Sequence, residues 1–487
     1  MRILEEETET RTDAPVLPPQ FIPTPTREYR EHRKTVRVTL GPGTPASPPA
    51  IPIPLPIPIL RGPRVLIWKQ DPTVAEIGVR KTYLPQPVLP GPRDARITTQ
   101  GVIAVNPNVN GDLIVPIGTE AFDAVHTFAV VRQALTMYQR GLNGAPIPWQ
   151  WNTGTNTDPL GVFPRAGVAM NAFYSRTQKA LRFFFFDRPG APAGTRVFTC
   201  RSFDIVAHEA GHAILDGLKP GWLALGNPPQ TGALHESFGD LTAIFLALSQ
   251  LDQVEAIIAQ TKANLHDKSF IADLAEEFGL ALGRPNGLRN ADNDLRLSQV
   301  SSEVHDLSQV FTGGIYDVLA DIFQFEQRPL RRDDAAVLYD ATQYVASLVL
   351  RAILAAPAAS ARFADVVNQM LQICFTDGKP AQYRNFIRNR FTLREVVVSA
   401  TPLSVDLAEG VLLVAVAHAA SDGPQSRRGC CGTMQLAENI GVDQAIETEL
   451  QELKKAVTEA GDARVVAKTV GRELGETEAL RAAKARK

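Results

Sequence analysis

The sequence predicts an α+β protein with a strand-rich lobe over 65–200, a mostly helical lobe over 201–398 and a cleft between them. Three observations carry that expectation. Short β-branched runs broken by Pro, Asn and Gly fill the first stretch. Apolar residues at three- and four-residue spacing fill the second. At 487 residues the chain is also longer than one core usually sustains, so two or three domains are expected.

Residues 1–64 read as a Pro-rich disordered arm, because VLPPQFIPTPT and GPGTPASPPAIPIPLPIPI favour polyproline II and build no core. Such an arm serves as a semi-rigid spacer or as a docking segment. VLIW, RITTQGVIAV and DLIVPI then read as strands, with NPNVNGD as a turn. A helix follows over 121–142, closed by Gly141. VAMNAFYS and LRFFFFD are again strand-like, and the aromatic run Phe183 to Phe186 suggests a strand covered on both faces. After Cys200, helical spacing marks 203–218, 233–250, 252–265, 268–282, 308–325, 333–355 and 360–375. An extension over 399–487 opens with VLLVAVAHAAS, passes GPQSRRGCCGT and ends in a charged, Ala-rich amphipathic helix.

Charge is balanced, with 50 basic and 52 acidic side chains, so neither nucleic acid nor an anionic membrane is an expected partner. The acidic start MRILEEETETRTD is no signal peptide, and IPIPLPIPIL is too Pro-rich to be helical. With four Cys and no CxxC pair, a cytoplasmic, reducing compartment is the default, although signal-independent export would leave the same sequence. The adjacent Cys430 and Cys431 sit in a Gly-flanked polar loop and are poorly suited to bridging each other.

The chemistry is concentrated in FDIVAHEAGHAILDG. His208 and His212 are four residues apart, about 40° round a helix, so both imidazoles reach one ion. Phe203, Val206, Ala210 and Ile214 supply the helical spacing. A catalytic zinc keeps one position for water, and Glu209 is placed to act on that water as a base. GALHESFGDLTAIFLAL follows, with Glu236 lying 24 residues past the second His. Leu234, Phe238, Leu241, Phe245 and Leu248 form one stripe of this helix, and Ala243 and Ala247 let another helix approach its other side. A carboxylate buried there needs a partner, which makes Glu236 the expected third zinc ligand. Asp240, one turn on, is placed to accept the free N–H of a ligating imidazole.

HEAGH followed by GALHESFGD resembles the thermolysin-like neutral zinc metallopeptidases of the gluzincin clan, over roughly Phe122 to Arg390. The resemblance implies a metalloendopeptidase acting on a peptide or protein substrate. It also implies that Asn171 and Ala172 on an edge strand bind the substrate backbone, and that His305 stabilises the oxyanion. Arg289 loosely matches the family's arginine for the substrate carbonyl. Several positions depart from the family. The Gly-Gly before the His is Ser302-Glu303, and the orienting carboxylate is missing, with Glu303 or Asp294 as substitutes. The oxyanion Tyr falls near Asn227, and His235 stands where an Asn usually precedes the third ligand. Asp204 fits a calcium position whose partner is here Ala247, so helix capping is the role expected of it. The run Asp292-Asn293-Asp294 offers calcium-type ligands without a full loop pattern. The expected function is zinc-dependent peptide hydrolysis. The alternatives are a zinc-stabilised binding or structural module without turnover, and a hydrolase of a non-peptide amide.

Overall fold

The computed structural model describes residues 62–396 apart from 75–77, 193, 282–286 and 288. The arm up to residue 61 and the extension over 399–487, with Cys430 and Cys431, lie outside the described residues. The described chain is α+β, with small sheets in its first part and a mostly helical second part.

In order, the chain forms β1 (Arg64–Trp68), β2 (Val79–Tyr83), β3 (Ile97–Thr99), α1 (Glu120–Gly141), β4 (Leu160–Phe163), β5 (Ala172–Ser175), β6 (Ala180–Phe183), β7 (Phe185–Asp187) and β8 (Arg196–Phe198). It continues with α2 (Phe203–Leu218), α3 (Pro229–Leu248), α4 (Leu251–Thr261), β9 (Asp273–Leu274), α5 (Glu276–Ala281), β10 (Arg289–Asn290), α6 (Val304–Glu326), α7 (Asp334–Ala355), α8 (Phe363–Thr376) and α9 (Ala381–Leu393). The largest sheet has the order β3-β4-β6-β5, so β5 stands at one end; three antiparallel pairs, β1-β2, β7-β8 and β9-β10, stand apart from it. One buried apolar cluster runs from Val65 and Ile67 of β1 through Phe128 of α1 to Val396, so the strand-rich and helical stretches share a core.

The structure departs from the sequence reading where pairing is long-range. LRFFFFD is not one strand: the ladder breaks at Phe184, whose N–H donates to Thr199 Oγ1 and whose carbonyl accepts from Thr199 N–H. Its two halves therefore join different sheets. The expected helix over 268–282 is instead β9, then Ala275 in the left-handed region at φ 54°, then the short α5. Ala with positive φ interrupts a helix. Of DLIVPI, Leu113 makes an isolated bridge to Val65. β2, β4, β8 and α9 are additional elements, and α6 begins at Val304, four residues before the expected start. α7 is long and apolar enough to cross a membrane by length and composition, and 56% of its most apolar window is buried inside the fold.

α2 and α3 cross closely. A Cβ on Gly211 would lie 2.7 Å from Thr242 Oγ1 and 3.1 Å from Gly239 Cα. A Cβ on Gly239 would meet the His208 ring at 2.6 Å. Neither helix tolerates a side chain at the crossing, and the two glycines bring the facing side chains of these helices together.

His126 on α1 is fully buried, stacks on Phe122 and accepts the Trp68 N–H at Nδ1 over 3.3 Å. Burial, with the neighbouring Arg201 charge, pushes its pKa from 6.5 down to about 3. The unfolded chain therefore binds a proton that the folded chain refuses. This contribution to stability is complete above pH 6.5 and is lost as pH falls from there toward 3. Urea unfolding across that window should fall less steeply for His126→Gln than for wild type, by up to about 1.4 kcal/mol per pH unit. Parallel slopes would remove His126 from the acid sensitivity.

Candidate metal centre

α2 starts at Ser202, whose side chain accepts from Ile205 N–H, so Ser202 and not Asp204 caps the helix. Both Asp204 oxygens lie 2.8 Å from Gln70 Nε2, which carries the N–H donors, and Oδ2 also accepts from Ala275 N–H. Burial, and after it the Asp71 charge, push the Asp204 carboxyl well above its usual range.

From α2, His208 and His212 face α3, and Glu236 faces back. The donor atoms of all three lie within 4.8 Å of one another. His208 Nε2 is 3.4 Å from Glu236 Oε2, and His212 Nε2 is 3.5 Å from Oε1. Donors at zinc distances of about 2.0–2.1 Å on a tetrahedron sit roughly 3.4 Å apart. The two imidazole-to-carboxylate separations, each to a different oxygen of Glu236, are close to that edge, and two imidazoles with one carboxylate are a donor set that suits such an ion. Burial alone would raise the Glu236 carboxyl, but the His305 and His212 imidazoles outweigh it and hold it well below its usual range.

Each of the two α2 imidazoles is held from behind. His208 Nδ1 lies 2.9 Å from Asp240 Oδ1, and Arg289 Nη2 donates to the same oxygen over 2.6 Å. Burial opposes ionisation of Asp240, yet Arg289 and His208 keep its carboxyl below the ordinary range. His212 Nδ1 lies 2.8 Å from His235 Nδ1, and their rings stack at 4.9 Å. Burial lowers His235 to about 3, so it is neutral. A His212 that ligates through Nε2 carries its proton on Nδ1, and His235 Nδ1 accepts it.

His305 lies in the first turn of α6 and is 1% exposed. Its Nδ1 is 2.6 Å from Glu303 Oε1, while Glu303 Oε2 accepts the His305 and Asp306 N–H groups at 3.0 Å each. Of the two carboxylates expected to orient this ring, Glu303 makes the contact, and it also caps the helix. His305 Nε2 faces Glu236 Oε2 at 3.1 Å. Glu209 is buried on α2 beside His208.

Ala172 opens β5, which stands at one end of its sheet and packs on α2, and Asn171 immediately precedes it. Asn171 is only 1% exposed, and its Oδ1 accepts the Ala172 N–H over 2.8 Å. The guanidinium of Arg289 reaches Asp240, a contact the sequence reading does not foresee. Asn227 braces its own loop: Nδ2 donates to the carbonyls of Gly221, Trp222 and Ala224, and Oδ1 accepts from Ser360 N–H. The backing of His212 by His235 also escapes sequence reasoning, although a His next to the expected third ligand is its visible trace. The double role of Glu303 has a signal too, an acid just before a helix start.

No protein-family model matches the chain, and no curated protein sequence matches it. Among solved structures it is similar to the precursor of protealysin, a metalloproteinase from Serratia proteamaculans, at 14% identity and a TM-score of 0.38. That match covers 57% of this chain and 80% of the other.

Gly239 makes the centre sensitive to one methyl group, since a Cβ there lies 2.6 Å from His208 Nδ1 and 2.7 Å from Cε1. Gly239→Ala should displace the ring from Asp240 and weaken any divalent-metal binding at this group roughly 10–100-fold, read by competition with a chromogenic chelator. Unchanged affinity would show that the crossing does not position His208.

Proposed function

We propose that this chain is a zinc-dependent peptide-bond hydrolase in which His208, His212 and Glu236 hold the ion and Glu209 is the general base. The observation that carries the reading is the convergence of three buried donors within 4.8 Å of one another, with the second nitrogen of each imidazole engaged by a neighbour. Two neutral imidazoles and one carboxylate are the donor set of a zinc that keeps a position open. Such an ion lowers the pKa of water and polarises a carbonyl.

The protein's own groups do the rest. Glu209 takes a proton from the attacking water and passes it to the leaving nitrogen. Asp240, fixed by Arg289, and His235 keep the two ligand rings in the tautomer that leaves Nε2 unprotonated. His305, with Nδ1 held by Glu303, presents Nε2 beside the same carboxylate and donates to the tetrahedral oxygen. The peptide adds as a strand along β5, at the end of its sheet.

The rival, a zinc-stabilised module without turnover, has one observation in its favour. Asn227, near the family's Tyr position, is fully engaged in bracing its loop.

Casein digestion separates the two. Glu209→Gln should lower the rate at least about 10²–10⁴-fold while zinc content stays unchanged. Equal rates in the two proteins would sink the hydrolase and leave the module. His305→Ala should lower kcat roughly 10²–10³-fold with zinc retained. If it instead loses zinc, His305 is a fourth ligand and the site is closed.

A further inference from the structure

Among the described residues, a second group of side chains has metal-ligand spacing: His266, Asp292 and Asp317, whose donor atoms all lie within 4.8 Å of one another. They come from three separate segments, the loop after α4, the chain after β10, and α6. His266 Nδ1 lies 2.8 Å from Asp292 Oδ1.

The segments are fixed independently of this group. Tyr316, the neighbour of Asp317 in sequence, donates its hydroxyl to the carbonyl of Leu265, the neighbour of His266. Asn264 Oδ1 accepts the His266 N–H, and Ala291 N–H donates to the Ala272 carbonyl beside Asp292. The donors are therefore held near one another by contacts outside the cluster.

Charge is consistent with this. Arg390 is engaged by both oxygens of Asp321 at 2.7 Å and lies 3.6 Å from Asp317 Oδ2, which also accepts from Arg394 at 2.8 Å. The carboxylates of Asp292, Asp317 and Asp321 thus face two arginines, and Asp292 itself faces an imidazole that is uncharged unless protonated. One imidazole and two carboxylates favour a zinc-like divalent ion over calcium, which takes oxygen ligands only. His266 is 40% exposed and Asp292 26%, so water can complete the coordination.

We propose that His266, Asp292 and Asp317 form a second metal site for a zinc-like divalent cation. It ties the strand that carries Arg289, the support of Asp240, to the helix that carries His305. The assignment does not depend on the hydrolytic reading.

The full chain is stripped with a chelator, equilibrated with low-micromolar free zinc and counted for metal. Wild type should hold two zinc ions per chain. His266→Ala and Asp292→Asn should each hold one, and circular dichroism checks that both are folded. His208→Ala/His212→Ala should also hold one, and should lose it when His266→Ala is added. If His266→Ala and Asp292→Asn leave the count of wild type unchanged, the second site is refuted, whatever becomes of the first. Calcium binding there to the exclusion of zinc would overturn the metal class. If His208→Ala/His212→Ala keeps the full wild-type count, the hydrolytic centre fails while this one stands.

Discussion

Glu236 is a carboxylate with no exposed surface, and the surrounding structure is arranged so that it can remain ionised. A lone charge in that position would cost several kcal/mol. Three imidazole nitrogens at 3.1–3.5 Å, from two other helices, offset that cost. The same grouping is what makes a cation welcome, because it concentrates donor atoms with few protons between them. Stability and chemistry thus share one device: a negative centre made tolerable by neighbours that can also ligate.

That device requires two helix backbones to approach unusually closely, and the approach is set by Gly211 and Gly239. The glycine of HEAGH therefore has a packing role that needs no ion. α6 adds the third side of the box, bringing His305 against Glu236, with Ser237 and Thr312 hydrogen-bonded across the α3–α6 contact at 2.6 Å.

How much of this is legible in the sequence depends on range. The helix over 203–218 is plain because Phe203, Val206, Ala210 and Ile214 repeat on one face, and Ser202 supplies the cap. The candidate ligands His208 and His212 are plain because a pair at i and i+4 needs no tertiary information to share a helix face. The pairing of 273–274 with 289–290 is not, since neither segment carries a strand pattern of its own. Equally, α9 is polar in composition, and only Tyr383, Ile387 and Phe391, buried at four-residue spacing, betray it. The supports of the two imidazoles divide in the same way. Asp240 sits one turn from Glu236 and can be foreseen, whereas Arg289 arrives from a distant strand and cannot.

The different backing of the two histidines has an electronic consequence. His208 leans on a carboxylate, His212 on a neutral ring. An imidazole that shares its proton with an anion is the more basic donor. The two rings thus offer unequal electron density to whatever sits between them, and the assembled centre carries one negative charge fewer than if both had anionic support. Replacing His235 by Asp would remove that asymmetry and make the pocket more anionic, at the expense of its Lewis acidity.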